Sequence, residues 1–167
     1  PAAADPARVR ERLELREARA RATVELDTGD VGAAAAQIER TLARARAADD
    51  PALLAEVLLL ASAADEVAGR LDAALARARE ALRLALEQRQ PLVAARATLQ
   101  VEHLHRRRAS LAEAGEDLLR LAETLAQQAG DPPGLRIDLL FGRGLAQYEA
   151  NRHAEAIATY ERLRGIA

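Results

Sequence analysis

The apolar residues of the chain, most of them Ala and Leu, run in stretches that are interrupted at regular places. One set of interruptions joins a polar residue to Pro, and it recurs at Asp5-Pro6, Asp50-Pro51, Gln90-Pro91 and Asp131-Pro132-Pro133. Asp before Pro favours a helix start, because the carboxylate caps free backbone N–H groups and Pro loses no hydrogen bond at the first helical position. These sites therefore predict four helix starts.

A second set of interruptions lies between these starts, at Thr28-Gly29-Asp30, Ala68-Gly69, Ala109-Ser110 and Asn151-Arg152. Together the two sets predict eight helices, over residues 6–27, 31–48, 51–68, 71–88, 91–107, 111–129, 133–150 and 153–166. Because the connections between them are short, we expect consecutive helices to pack as antiparallel neighbours.

The composition agrees with a helical chain. Ala and Leu are strong helix formers, and only three residues, one Phe and two Tyr, are aromatic. All 24 basic residues are Arg, and Asn151 is the one Asn of the sequence. This bias is typical of GC-rich coding and indicates a bacterial source.

Small residues before a turn, followed by Ala and a larger apolar residue after it, recur in several helix pairs. In one pair Ser62 precedes Gly69 and is followed by Ala78 and Leu82, and in the last pair Gly144 precedes the turn and Tyr160 follows it. The pattern resembles the tetratricopeptide repeat (TPR) family, in divergent repeats of about 40 residues such as those in the arms of large bacterial regulators.

The resemblance implies an all-α fold, a right-handed α-solenoid of four antiparallel helix pairs. It implies a single domain over residues 1–167, with repeats at about 6–48, 51–88, 91–129 and 132–167. Each pair cannot bury its apolar face alone, so neighbouring pairs must stack. The third repeat departs from the pattern, because Glu102 falls where a small residue is expected. Either this helix is shifted by a residue or two, or the turn after it is longer.

The resemblance also implies a protein–protein interaction module, because in this family the first helices of the pairs line a concave groove that binds a peptide or a helix. The groove positions carried over to this sequence are Arg16, Arg19, Thr23, Glu56, Leu59, Glu66, Arg96, His103, Arg107, Phe141, Leu145 and Tyr148, together with Leu26, Asp27, Ala63, Val67, Leu99, Arg106, Asp138 and Glu149. Phe141 and Tyr148 are candidate binding hot spots. The alternative for both is packing against a further helix.

Two other hypotheses remain at this point. The chain could be a sensor or scaffold arm of a larger bacterial signalling or transcription regulator, in which it holds another domain of the same polypeptide. It could also self-associate through its last helix pair, because the sequence ends without an obvious polar capping helix.

The sequence offers no arrangement of residues that is typical of catalysis. There is no Cys; Ser62 falls at a packing position and Ser110 in a turn, so neither has the surroundings of a nucleophile. His103 and His105 lie two residues apart on a predicted helix and point in different directions, unlike helical metal ligands. We therefore expect neither an enzyme, nor a cofactor, nor a metal site.

The charge balance gives no reason to expect nucleic acid or membrane as a partner. The net charge is −2 and the pI is near 6. The longest apolar stretch, residues 51–64, is interrupted by Glu56 and is too short to span a membrane. We expect a cytoplasmic protein with protein or peptide partners.

One basic cluster, Arg106 to Arg108, follows His103 and His105. Three consecutive Arg residues could hold a phosphate or an acidic peptide. Alternatively they lie at a solvated helix end, where positive side chains complement the helix dipole.

Overall fold

A computed structural model of the chain describes residues 6–28, 31–108 and 112–166, and these residues form eight α-helices and no strand. The helices are α1 (Pro6–Asp27), α2 (Val31–Ala47), α3 (Pro51–Val67), α4 (Leu71–Glu87), α5 (Pro91–Arg107), α6 (Ala112–Gln128), α7 (Pro133–Glu149) and α8 (His153–Arg164). The all-α class is confirmed, and every predicted helix end lies within two residues of the observed one.

Four of the connections between the helices share one backbone conformation. In the three-residue connections 48–50, 68–70, 88–90 and 150–152 the middle residue has a positive φ; these residues are Asp49, Gly69, Arg89 and Asn151. The left-handed residue turns the chain so that the next N–H bonds back to a carbonyl of the last helical turn. Arg70 N, for example, donates to Asp65 O at 2.8 Å. This closes each helix and reverses the chain.

The predicted capping by Asp before Pro holds at one site and fails at another. Asp50 accepts a hydrogen bond from the backbone N–H of Leu53 at 3.2 Å and precedes Pro51, the first residue of α3. At α7 the capping position is taken by Pro132, and Asp131 lies in the preceding turn with a φ of 52°. The prediction is wrong there, because the second Pro moves the helix start by one residue. Asp5 lies outside the described residues.

Contacts between helices follow the order of the chain. Each helix contacts the next one, and in addition α1 contacts α3, α3 contacts α5, and α5 contacts α7. No two even-numbered helices contact each other in the described part of the chain. The odd-numbered helices α1, α3, α5 and α7 therefore lie side by side, and we call them the odd-helix layer.

Small residues allow the two helices of a pair to approach closely. The Ser62 hydroxyl donates to the backbone carbonyl of Ala74 at 2.8 Å, which joins α3 to α4. At the same place in the last pair, a Cβ on Gly144 would lie 2.7 Å from the Tyr160 ring. The absence of a side chain at Gly144 is therefore what makes room for Tyr160 between α7 and α8.

The third pair accommodates a large residue at this position. Glu102 is buried, and α5 has the same length of 17 residues as α3, so the helix is not shifted. The connection after it includes residues 109–111, which lie outside the described part of the chain, so the alternative of a longer turn stays a prediction.

Candidate binding site

The odd-helix layer contains an open cleft of about 290 Å3 between α3, α5 and α7. The lining residues are Leu59 and Ala63 of α3, Arg96, Leu99, Gln100, Glu102, His103 and Arg106 of α5, and Asp138, Phe141 and Gly142 of α7. At the positions that correspond to Gly142, α3 and α5 carry Leu60 and Gln100. A Cβ on Gly142 would lie 3.6 Å from the Leu119 side chain and 4.0 Å from that of Leu99.

The apolar wall of the cleft is formed by three side chains. Leu59 and Leu99 are partly buried and pack against the core, whereas Phe141 is 55% exposed. The Phe141 ring lies 6.4 Å from that of Tyr160, centroid to centroid, in a tilted arrangement. A large apolar side chain held in this way, with half of its surface in water, is a suitable anchor for a partner.

The floor of the cleft holds a buried ion pair. Arg106 Nε donates to Glu102 Oε1 at 2.7 Å, and the Glu102 side chain is 1% exposed. Burial raises the pKa of the Glu102 carboxyl above its ordinary value, although the hydrogen bond from Arg106 counteracts this. The pair therefore belongs to the internal structure of the layer, and it leaves little charge for a ligand.

At one edge of the cleft, the Glu66 carboxylate accepts hydrogen bonds from three side chains. Gln100 Nε2 donates to Glu66 Oε2 at 2.8 Å, and Arg107 donates to Oε1 at 2.8 Å. His103 Nε2 lies 2.7 Å from the same Oε1 and must carry the proton, since a carboxylate only accepts. Burial of Glu66 works against ionisation, but the hydrogen bonds from Arg107, Gln100 and His103 together hold its pKa below the ordinary value. Glu66 thus fastens α3 to α5.

Two charged residues at the cleft make no ion pair with another described residue. Arg96 extends from α5 and Asp138 from α7. Partial burial raises the pKa of the Asp138 carboxyl above its ordinary value, although the positive charge of Arg96 counteracts this. Both groups are therefore available to charges that a ligand brings.

The basic cluster of Arg106 to Arg108 is neutralised within the chain. Arg106 contacts Glu102 and also Glu149 at 3.5 Å, Arg107 contacts Glu66, and Arg108 contacts Asp72 at 2.7 Å. These acidic partners come from α3, α4, α5 and α7. The cluster therefore joins helices, which neither of the two explanations from the sequence had included.

The structure brings one group of the predicted groove residues together and separates the others. The predicted residues that line the cleft are Leu59, Ala63, Arg96, Leu99, His103, Arg106, Asp138 and Phe141, and Glu66 and Arg107 lie at its edge. The others do not line it: Arg16 and Thr23 are exposed on α1, Glu56 is partly buried and Val67 is exposed on α3, and Leu145, Tyr148 and Glu149 lie further along α7. The side chains of Leu26 and Asp27 lie outside the described residues. Tyr148 is exposed and lies 5.2 Å from the His153 ring, centroid to centroid. The side chain of Arg19 lies outside the described residues.

Three lining residues were not among the predicted groove positions. Gln100 takes part only through its contact with Glu66, and that contact depends on how α3 and α5 pack. Glu102 was recognised as a departure from the repeat, without a role. Gly142 could have been found, because it is the small residue where the two preceding odd helices carry larger ones.

The sequence matches no protein-family model and no curated protein. Among the described helices, none combines the length and apolar character needed to cross a membrane. The described residues also contain no group of three or more His, Asp or Glu side chains that could hold a metal ion. The cleft is the candidate site because predicted groove residues from α3, α5 and α7 line it together.

Proposed function

We propose that the chain is a TPR-like interaction module, a right-handed α-solenoid whose odd-helix layer is the concave side. On this proposal, the layer binds a peptide or a helix of a partner protein, and the cleft between α3, α5 and α7 is the centre of the binding surface. The contact pattern supports the solenoid, because helices that touch across repeats only on one side are those on the inside of a curve.

The proposed function rests on one observation: Arg96 and Asp138 differ from the other charged residues of the odd-helix layer. Glu66, Glu102 and Arg107 are satisfied by partners inside the chain, whereas Arg96 and Asp138 form no ion pair with any described residue. They lie at the same cleft as the exposed ring of Phe141. An apolar anchor with charges beside it is the usual composition of an interface centre and its rim.

The arrangement specifies what a ligand must bring. An apolar side chain of the ligand fills the space between Leu59, Leu99 and Phe141. An acidic group on one side of it pairs with Arg96, and a basic group on the other side pairs with Asp138. The site holds the ligand without any chemical change, since its titratable groups belong to ion pairs or to the rim.

Selection from a random peptide display library tests this proposal without knowledge of the partner. The native chain should enrich peptides that carry one large apolar residue next to an acidic residue. These peptides should lose at least about tenfold in affinity for a Phe141→Ala variant or an Arg96→Glu variant, the equivalent of one lost hot-spot contact.

The matched control is Leu121→Ala, which removes an exposed apolar side chain from α6, outside the odd-helix layer. This variant should keep the affinity of the native chain for the same peptides. Peptides that bind all four proteins equally would place the binding surface elsewhere. A selection that enriches no peptide would indicate instead an arm whose only ligand is a domain of the same polypeptide.

A further inference from the structure

One helix position is exposed in the last helix pair and buried in the second pair. Leu75 is the fifth residue of α4, and Ile157 is the fifth residue of α8. Leu75 is 4% exposed and shares a buried cluster with Val101 and Leu104 of the following helix, α5. Ile157 is 61% exposed. The α8 end therefore presents an apolar position that, inside the chain, is covered by the next odd helix.

The first helix shows the complementary situation. Val24 lies three residues before the end of α1, as Leu104 does in α5. Leu104 is fully buried in the cluster with Leu75, whereas Val24 is 61% exposed. The α1 end therefore presents an apolar position that, inside the chain, is covered by the preceding even helix.

We propose that α8 of one copy of the chain packs against α1 of a second copy, with Ile157 on Val24 as Leu75 packs with Leu104. The occupant of each exposed end is thus the opposite end of an identical chain. The contact is continuous with the stack of helix pairs and repeats the register of the seam between α4 and α5. This contact does not involve the cleft, so the result of its test is independent of the proposed function.

A second pair of apolar residues fits the same docking. Leu13 of α1 is exposed, although its counterparts Leu53 of α3 and Leu135 of α7 are buried. Ile166, just after the end of α8, is exposed as well. If α8 and α1 pack antiparallel, as consecutive helices do, Ile157 early in α8 meets Val24 late in α1. The same orientation brings Ile166 to Leu13.

The polar residues of α1 do not oppose this contact. Between Leu13 and Val24 lie Glu17 and Arg21, which pair with each other at 3.6 Å, so they enter the seam without net charge. The seam between α6 and α7 already contains such a pair: Arg143, at the register position of Arg21, contacts Glu123 at 2.7 Å. One Glu–Arg pair is therefore compatible with this kind of packing.

The two ends are different surfaces, so the association is head to tail. A heterologous contact of this kind adds further copies unless the geometry closes a ring. We expect growth beyond the dimer as the concentration rises. A two-fold contact between two α8 ends would instead stop at the dimer.

Sedimentation velocity over a range of concentrations, up to about 1 mM at the weak end of specific association, tests the proposal. The native chain should form dimers and larger species. Val24→Glu and Ile157→Glu should each weaken self-association by at least about tenfold, because each places a charge in an apolar contact. A mixture of the two variants should form a one-to-one dimer and nothing larger, since each variant keeps one intact end.

Leu121→Glu is the control, because it changes an exposed apolar residue of α6 away from both ends. It should associate like the native chain, and circular dichroism should show equal helix content for all variants. A native chain that stays monomeric over the whole range would overturn the proposal. So would a native dimer that survives Val24→Glu and is lost only in Ile157→Glu, since that outcome is a two-fold contact of α8 ends.

Discussion

Glu102 and Gly115 face each other across the contact between α5 and α6, and Glu102 Oε1 lies 3.4 Å from the position that a Cβ of Gly115 would take. In the preceding pair the same places are held by Ser62 and Ala74, which join through a hydrogen bond. The third pair thus exchanges a small residue for a large one on α5 and compensates for it with a glycine on α6. The enclosed Glu102 carboxylate forms an ion pair with Arg106.

Replacing Arg106 by Met should cost about 2–4 kcal/mol in free energy of unfolding, because it leaves the Glu102 carboxylate buried without a cation. Urea unfolding followed by circular dichroism measures the loss. The double variant Glu102→Ala, Arg106→Met should be more stable than Arg106→Met alone, since the buried charge is then absent. If the double variant is the less stable of the two, the pair stabilises the fold in some other way.

Glu66 should make the chain less stable in acid. Its pKa is held below the ordinary value of 4.5, so the unfolded chain takes up the proton first as the pH falls. The stabilisation is therefore fully present above pH 4.5 and is lost as the pH falls through the lower pKa of the folded state. The difference in free energy of unfolding between the native chain and Glu66→Gln should be constant near neutral pH and shrink below pH 4.5.

Glu102→Gln provides a control with the opposite sign. The pKa of Glu102 is raised above 4.5 in the folded chain, so the folded chain holds this proton more tightly than the unfolded chain does. The native chain should therefore lose stability relative to Glu102→Gln as the pH rises from 4.5 towards neutral. The same trend with pH for both variants would contradict the assignment of the two carboxylates.

Leu75→Ala and Ile157→Ala remove side chains from the same register position of two helices. Leu75 is enclosed by the following pair, so its truncation should cost about 2–5 kcal/mol. Ile157 faces solvent in a single chain, so its truncation should cost less than about 0.5 kcal/mol. Thermal unfolding at low concentration, where self-association does not contribute, compares the two. Similar losses would mean that the cover of the following pair does not set the contribution of Leu75 to stability.

The positions of the helices could be predicted because their ends are determined by local chemistry. Pro51 and Pro91 each stand at the first position of a helix, where Pro is favoured because it loses no hydrogen bond. Gly69 ends a helix because it adopts a positive φ without strain. Arg89 takes the same backbone conformation at the same place in its turn, without any signal in its residue type. The break at Gln90-Pro91, just after it, is what identified that helix end.

The candidate site was predictable only in part, since tertiary packing determines which of its charged residues form ion pairs. The sequence indicates that Arg96 and Arg107 both belong to the odd-helix layer. It does not show that Glu66 pairs with Arg107, or that Arg96 pairs with none of the residues that the structure describes. That difference depends on which side chains of α3 come opposite α5. The fit of Glu102 to Gly115 is likewise a relationship between two helices, and each residue alone resembles a departure from the repeat.

Gly144→Ala should destabilise the last pair by about 1–3 kcal/mol, because the added methyl group would lie 2.7 Å from the Tyr160 ring. The same substitution in a Tyr160→Leu background should cost less, since the ring that it meets is gone. A double-mutant cycle from urea unfolding measures this coupling. Equal costs in the two backgrounds would mean that the ring moves aside freely.

The restriction of helix contacts to partners one or two positions away in the chain also governs how the protein reaches its fold. Each contact between the described helices forms by closing a short stretch of polypeptide, so little chain entropy is lost before packing begins. Folding of such low contact order is fast. An interior pair has a neighbour on both sides, whereas the first and last pairs have one. Hydrogen exchange should therefore be slowest in α3 to α6, and opening should start at α1 and α8 and travel inwards.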